Sequence, residues 1–150
     1  MTGTKSAKVG GGYGNSLSLD NLLNNLIQAS SGTERDKGTR FETLIRDWLT
    51  KEPTYRDLFT DLVGFNSDGN GYTAIQCKFY DKEATFPKAG VDSFIASSNK
   101  PFFTKRFLVA TNEHWTDPVK EEFRRQTPPV TLITRETLAS STVDWAAYQR

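Results

Sequence analysis

Apolar residues recur with the helical period in two segments near the start of the chain. After Ser18, which can cap a helix, leucines and isoleucines follow i, i+3, i+4 and i+7 spacing as far as Ile27. A second stripe of the same kind runs from about Lys37 to Thr50, and Pro53 ends it. Each segment is predicted to form a helix with one apolar face, and the first helix is expected to pack on the core or to cover it.

The pattern then changes from the helical period to strand-like runs. Residues 59–65 and 72–80 are strand-like, and a turn-forming cluster at residues 66–71 separates them, which predicts an antiparallel hairpin. Because strand side chains alternate, Gln76 and Lys78 should lie on one face of the second strand and Cys77 on the other. Beyond residue 87 the pattern predicts helix, strand, helix, strand and short helical pieces. This order predicts an α/β fold with a mixed central sheet flanked by helices.

Length and composition limit the choice of protein class. A chain of 150 residues with 36% hydrophobic and 25% charged residues is typical of one globular domain. The glycine-rich start is predicted to be a flexible tail over residues 1–16, followed by a folded domain over residues 17–150. A single cysteine excludes an internal disulfide framework. No long apolar run or secretory leader is evident, which predicts a cytoplasmic protein with no membrane partner.

The balance of charges leaves DNA binding open. A net charge of +1 excludes a uniformly basic nucleic-acid coat protein, but a local basic patch does not require a basic average. Lys88, Lys100, Lys105 and Arg106 are candidates for contacts with DNA phosphates. Each of these residues is explained equally well as a solvated surface charge.

Four polar residues form a candidate catalytic set around the predicted hairpin. Asp61 lies on its first strand, Gln76 and Lys78 lie on its second strand, and Glu42 lies on the preceding helix. Mg²⁺ prefers oxygen ligands and needs one or two carboxylates besides the substrate phosphate, while a nearby lysine stabilises charge on that phosphate. The set therefore suits phosphodiester hydrolysis by a water that the metal activates. Taken singly, each residue is an ordinary solvated charge or turn former.

Gln76 changes the charge that is expected at this site. It supplies a neutral oxygen where aspartate or glutamate would supply a charged one. The site then has one negative charge fewer, which should weaken metal binding in the absence of phosphate. The lower charge also favours one metal ion over two.

The combination and order of these residues resemble the Mrr-like branch of the PD-(D/E)XK restriction endonuclease superfamily. The sequence is similar in particular to the N-terminal nuclease modules of type ISP restriction–modification enzymes and related helicase-fused proteins. The resemblance covers most of residues 19–148 and rests on these segments: Gly38–Ile45, Asp61–Val63, Tyr72–Tyr80 with its Gln-Cys-Lys triplet, Asp92–Ile95, Val109–Thr111 and Val143–Trp145. The Gln-Cys-Lys strand is a specific feature in this context.

The resemblance implies a restriction-endonuclease-like αβββαβ core and Mg²⁺-dependent cleavage of double-stranded DNA in a restriction or phage-defence system, with Mn²⁺ as an alternative ion. It implies that Asp61 binds the metal, that Gln76 occupies the (D/E) position and that Lys78 is the catalytic lysine. Glu42 would be an accessory carboxylate that also binds the metal. Helicase or methyltransferase domains of a longer chain are implied partners on which activity can depend, and a dimer on DNA is compatible with this reaction.

The sequence departs from that family in the region before Asp61. Residues 54–61 are so short a connection that the first core strand is expected to be shortened, or fused with the Asp61 strand, and Asp57 competes for the role of Asp61. A second hypothesis therefore stays open, namely a nuclease fold that has lost catalysis and serves as a DNA-binding or interaction module. A junction or repair nuclease on the same fold is a third. A chelator separates the first two, because a binding module keeps its affinity for DNA without metal.

Overall fold

The computed structural model describes residues 2–29, 33–58, 66 and 68–149. Two helices come first, α1 (Thr2–Ala29) and α2 (Glu34–Lys51). The elements that follow are β1 (Tyr72–Lys78), α3 (Lys88–Ser98), β2 (Phe103–Ala110), α4 (Asp117–Arg125), β3 (Val130–Ile133), α5 (Arg135–Ala139) and a 3₁₀ helix (Trp145–Gln149). This order confirms the predicted α/β class and the alternation of helices and strands after residue 87.

The described strands form a parallel sheet in the order β1-β2-β3. Helices α3 and α4 connect the strands, because parallel neighbours cannot be joined by tight turns. Strand β2 lies between the other two and is buried continuously from Arg106 to Ala110, which is typical of a central strand covered on both faces. The predicted hairpin strand over residues 59–65, which would make the sheet mixed, lies outside the described residues.

Helices cover both faces of this sheet. On one face, α1, α2, α5 and the 3₁₀ helix bury a cluster that we call the larger core, whose aromatic members are Phe41, Trp48, Phe79, Phe107 and Trp145. On the other face, α3 and α4 bury a smaller core that includes Phe86, Phe94, Leu108 and Phe123. Burial of this apolar surface is the main stabilising term, at about 25 cal/mol per Å². No helix in the described ranges is long and apolar enough to cross a bilayer.

Helix α1 is longer than the sequence indicated. It begins at Thr2, whereas the sequence predicted a helix from Ser18 with a tail before it. Asn15, inside the predicted tail, is held by distant residues: its Nδ2 donates to the Ser141 carbonyl at 3.0 Å, and its Oδ1 accepts the Trp145 backbone N–H at 3.0 Å. The predicted helix start is therefore wrong, because local propensity carries no information about distant partners. The division into a tail and a domain stays a prediction.

The turn before β1 requires glycine at one position. Gly71 has a φ of 86°, and a Cβ atom added there would approach the Phe102 carbonyl oxygen to 2.7 Å. The same carbonyl accepts the Tyr72 backbone N–H at 2.9 Å, at the start of the pairing between β1 and β2. The turn cluster predicted from the sequence is confirmed at residues 68–70.

A buried carboxylate fixes the end of α2 to the last part of the chain. Glu52 accepts the Thr54 backbone N–H at 2.6 Å and the Ser141 hydroxyl at 2.8 Å, and this hydroxyl accepts the Trp48 indole N–H at 3.0 Å. Burial acts to raise the pKa of the Glu52 carboxyl, but the hydrogen bonds from Thr54 and Ser141 outweigh it. The pKa therefore lies below its usual value.

Replacing Glu52 by glutamine should reduce the acid sensitivity of the fold. A carboxyl whose pKa is lowered by folding contributes stability above its unfolded pKa and loses that contribution as the pH falls through the folded pKa. We therefore expect the wild-type free energy of unfolding to decrease below about pH 4.5, and the slope to be shallower in Glu52→Gln. Urea unfolding at several pH values measures this slope.

Glu34→Gln is the control for the Glu52 prediction, because the Glu34 side chain is 85% exposed at the start of α2. This variant should keep the wild-type dependence of stability on pH. An identical acid slope in the wild-type protein and Glu52→Gln would contradict the prediction.

Candidate active site

Gln76 and Lys78 lie side by side near the carboxyl end of β1. The register pairs Gln76 with Leu108 and Lys78 with Ala110, both of which belong to the smaller core. Cys77 instead packs against the larger core on the opposite face. The facing predicted from strand alternation is thereby confirmed, and the Cα atoms of Gln76 and Lys78 are roughly 6.6 Å apart.

The side-chain oxygen of Gln76 is buried without a hydrogen-bond donor. Within the described ranges no N–H or O–H group bonds to Gln76 Oε1, although the atom is shielded from water. Asn112 Oδ1 likewise lacks a donor, and the buried Trp115 indole N–H lacks an acceptor. An unsatisfied buried polar group costs about 1–3 kcal/mol, and folded proteins contain few of them. An oxygen in this position is suited to bind a cation, because no described donor uses its lone pairs.

Lys78 differs from neighbouring lysines in its partners. Lys82 pairs with Asp20 at 3.6 Å, Lys88 with Asp92 at 3.1 Å and Lys105 with Asp68 at 3.4 Å. Lys78 is half-buried, and of the described carboxylates none forms an ion pair with it. As far as the described residues extend, its ammonium group can therefore receive an anion such as a phosphate.

Glu42 lies on the other side of β1. Its carboxylate is exposed and pairs with Arg46 at 3.1 Å, one turn further along α2. Burial, and then the charge of Glu42, raise the pKa of the Cys77 thiol to about 12, while Arg46 opposes this rise. Because Cys77 faces away from Gln76 and Lys78, the structure does not bring Glu42 onto their face of the strand. The protonated thiol agrees with the packing of Cys77 against the larger core.

Asp61, the predicted metal ligand, lies outside the described residues. Asp57, the alternative to Asp61, lies in the turns after α2, where its carboxylate is 4.0 Å from the guanidinium of Arg56. Considering the described residues alone, no group of three or more histidine, cysteine, aspartate or glutamate side chains could hold a metal ion. The described part of the predicted metal set consists of Gln76 and Glu42, and their metal-binding role stays a prediction.

The basic residues predicted to contact DNA have unlike environments. Arg106 is 1% exposed. Its guanidinium donates hydrogen bonds inside the fold to Ser98 Oγ, Ile95 O, Gln126 Oε1 and Pro128 O. We therefore remove Arg106 from the predicted DNA surface, because its donors already have partners and water cannot reach it. Lys88 and Lys100 are exposed, and Lys105 is half-buried, so these three stay candidates.

Thr111 has no role predicted from the sequence, yet it closes the end of β1. Its hydroxyl accepts the Tyr80 backbone N–H at 2.8 Å and donates to the Tyr80 carbonyl at 2.6 Å. The Thr111 backbone N–H also donates to the Lys78 carbonyl at 3.2 Å. The signal that marks it in the sequence is weak, namely a polar residue directly after the continuous apolar run of β2.

Most of the sequence matches one enzyme family. Residues 40–150 match the family model Mrr_cat_2, described as restriction endonuclease. The chain therefore belongs to the Mrr_cat_2 restriction endonuclease family, and it is a nuclease domain of the kind found in restriction systems. The matched range includes all four residues of the candidate catalytic set, namely Glu42, Asp61, Gln76 and Lys78.

A solved structure agrees with this family. The chain is similar to part of the ATP-dependent Type ISP restriction-modification enzyme LlaBIII bound to DNA, with a TM-score of 0.66 and 25% sequence identity. The alignment covers 83% of this chain and 9% of that chain. No match was found among curated proteins. The resemblance to Mrr-like nuclease modules, predicted from the sequence, is confirmed.

Proposed function

We propose that this chain is a metal-dependent endonuclease domain that hydrolyses phosphodiester bonds in double-stranded DNA. The observation that carries the proposal is the pair formed by Gln76 and Lys78, a buried oxygen without a described donor beside a half-buried ammonium group. Phosphodiester hydrolysis with a divalent ion needs an oxygen ligand and a positive charge in one place. The restriction endonuclease family and the DNA-bound neighbour support DNA as the substrate.

Lys78 acts on the phosphate in this proposal. Its ammonium group donates hydrogen bonds to a phosphate oxygen and to the attacking water, and it stabilises the negative charge that develops as the water attacks. Partial burial strengthens this interaction, because the effective dielectric constant near the site is below that of water. The attacking water gives up a proton to the surrounding solvent as the new P–O bond forms, and the leaving 3′ or 5′ oxygen takes up a proton from the solvent as its bond to phosphorus breaks.

Gln76 and Asp61 are the residues proposed to hold Mg²⁺ or Mn²⁺, whereas the accessory role of Glu42, which lies across β1 from Gln76, stays a prediction. The buried oxygen of Gln76 fits such an ion, because hard cations bind carbonyl oxygens readily. When bound, the ion lowers the pKa of a coordinated water and polarises the phosphoryl oxygen. Gln76 itself brings no negative charge, so the DNA phosphate is expected to complete the set of oxygen ligands.

Target choice is proposed to depend on further domains. The chain spans 9% of the type ISP enzyme that it matches, so most of that enzyme has no counterpart in it. We propose helicase or methyltransferase domains as partners, restriction or phage defence as the setting, and the cytoplasm as the location. Exposed Lys88 and Lys100, together with Lys105, are proposed to contact the DNA backbone.

Cleavage of supercoiled plasmid by the purified chain tests the proposal. We expect nicked or linear products in Mg²⁺ and in Mn²⁺, and no products in EDTA. Fluorescence anisotropy with a labelled duplex, measured in the same three buffers, examines the alternative function. DNA binding in EDTA without cleavage in either metal would show that the chain is a binding module, and neither binding nor cleavage would refute a DNA substrate.

Replacing Gln76 by glutamate should strengthen metal binding by the free protein. The added charge lies next to the proposed ion, and we expect the Kd for Mn²⁺ to fall about tenfold, which corresponds to about 1.4 kcal/mol. Calorimetric titration with Mn²⁺ in the absence of DNA measures this change. Gln28→Glu makes the same charge change on the exposed side of α1 and should leave the Kd unaltered. Equal Mn²⁺ affinity in the wild-type protein and Gln76→Glu would exclude a metal site at Gln76.

A further inference from the structure

We propose that Thr111 is a positioning residue, which holds the proposed catalytic Lys78 in place through the backbone of β1. The inference rests on the proposed function of Lys78 and extends it to a residue on the neighbouring strand. Thr111 is fully buried and directly follows Ala110, the residue that pairs with Lys78 in the parallel register. It therefore lies beside the backbone that carries the lysine.

The Thr111 side chain replaces the β ladder at the point where the ladder stops. Regular pairing of β1 with β2 ends at Lys78, whose carbonyl accepts the Thr111 backbone N–H at 3.2 Å. Two residues later the Tyr80 backbone N–H donates to Thr111 Oγ1 at 2.8 Å, and Thr111 Oγ1 donates to the Tyr80 carbonyl at 2.6 Å. One hydroxyl thus satisfies both backbone polar groups of Tyr80, and it fixes the chain on the carboxyl side of Lys78.

Thr111 is in turn anchored to the helices on the larger core. Arg135 Nη1 donates to the Thr111 carbonyl at 3.0 Å, and the same guanidinium pairs with Asp20 of α1 at 2.8 Å. The bond from Arg135 to the Thr111 carbonyl is buried, where hydrogen bonds are stronger, while the pair with Asp20 is partly exposed. The backbone after Lys78 is therefore tied to α5 and α1 as well as to β2.

These hydrogen bonds to the backbone around Lys78 affect the position of its long side chain. The ammonium of Lys78 lies several bonds from its backbone, so a small change in the direction of the strand becomes a larger displacement of the charge. Misplacement of a catalytic group by about 1 Å can lower a rate by about a hundredfold. The Tyr80 ring packs edge-on against Phe86 with centroids 5.3 Å apart, and this contact adds a second constraint on the same segment.

Thr111→Val tests the inference, because valine keeps the branched shape and lacks the hydroxyl. We expect kcat for plasmid cleavage to fall between about tenfold and a hundredfold, while the Kd for DNA changes by less than about threefold. Thr111→Ser keeps the hydroxyl and should restore most of the activity. Ser98→Ala is the matched control: the buried Ser98 hydroxyl donates to the Phe94 carbonyl and accepts from Arg106. Arg106 pairs with Ala74, so these bonds lie toward the opposite end of β1 from Lys78. This control should lose stability without losing kcat.

A signal from Lys78 makes the test independent of cleavage. In protein labelled with ¹³C-lysine, the NMR resonance of the Lys78 ε-methylene group is assigned by its absence from the Lys78→Arg spectrum. We expect this resonance to shift in Thr111→Val and to keep its wild-type position in Thr111→Ser. The Tyr80 amide hydrogen should exchange at least about tenfold faster in Thr111→Val.

The outcomes separate the positioning inference from the proposed function. If the wild-type chain does not cleave DNA while the Lys78 and Tyr80 signals change as expected, the proposed function fails and the placement of Lys78 by Thr111 is supported. If the Lys78 resonance does not move in Thr111→Val, or if this variant cleaves DNA as fast as Ser98→Ala, Thr111 is not a positioning residue.

Discussion

Lys78→Ala should lower the rate of DNA cleavage by at least about a hundredfold while the fold and the affinity for DNA stay nearly unchanged. Removal of one group that stabilises transition-state charge typically costs about 10²–10³ in kcat. The variant breaks no ion pair among the described residues, because Lys78 has no described carboxylate partner, so its stability should change little. Loss of supercoiled plasmid with protein in excess over DNA measures the rate.

Lys51→Ala is the matched control for net charge. It removes the same charge from the surface of α2, where Lys51 pairs with Asp47 at 2.8 Å, and its cleavage rate should stay within about twofold of wild type. Equal losses in the two variants would mean that overall positive charge, and not the placement of Lys78, supports cleavage. Full activity of Lys78→Ala would exclude it as the catalytic lysine.

Trp145→Ala should destabilise the fold by about 3–5 kcal/mol, a large share of the 5–15 kcal/mol typical of a domain. The Trp145 side chain is fully buried and stacks on Trp48 with ring centroids 6.4 Å apart. Its indole N–H donates to the Leu138 carbonyl at 2.8 Å. Alanine would leave a cavity in the larger core, and the Leu138 carbonyl would keep the Ser141 backbone N–H as a donor but lose the indole. Urea unfolding followed by circular dichroism measures the loss.

Trp145→Phe separates packing from hydrogen bonding. Phenylalanine keeps most of the aromatic contact with Trp48 but cannot donate to Leu138, so we expect a smaller loss of about 1–3 kcal/mol. Phe102→Ala removes an aromatic side chain that is 54% exposed and should cost less than about 1 kcal/mol. A Trp145→Ala variant as stable as Phe102→Ala would show that the last helical turn is not part of the folding core.

Features that depend on neighbouring residues within one element could be predicted from the sequence. The apolar stripe of α2 is buried as its spacing indicated, and the alternation of Gln76, Cys77 and Lys78 holds in the sheet register. Both follow from the fixed geometry of helices and strands, which requires no knowledge of distant partners. For this reason the shared face of Gln76 and Lys78, two of the three described residues of the candidate catalytic set, could be predicted.

Features that depend on distant partners could not be predicted in this way. The start of α1 was misplaced, and Asn15, inside the predicted tail, bonds to Ser141, which lies 126 positions further along the chain. Arg106 has the sequence signature of a surface charge, since no local pattern reveals the acceptors that surround it in the fold. The position of Glu42 across β1 likewise follows from how α2 packs on the sheet. The periodicity of the sequence predicts which face of α2 is apolar. It does not predict on which side of β1 the charged residues at the edge of that face lie.

The bond between Asn15 and the Trp145 backbone joins residues 130 positions apart, and it has a consequence for how the protein is made. Trp145 completes the larger core beneath α1 and α2, so this core stays incomplete until almost the last described residue is available. Closing so long a loop costs entropy, and contacts of this separation form late in folding. On the ribosome, the strands of the sheet therefore emerge before the helices of the larger core can pack completely against them. The larger core can therefore be completed only after the final helical turn of the domain has left the exit tunnel.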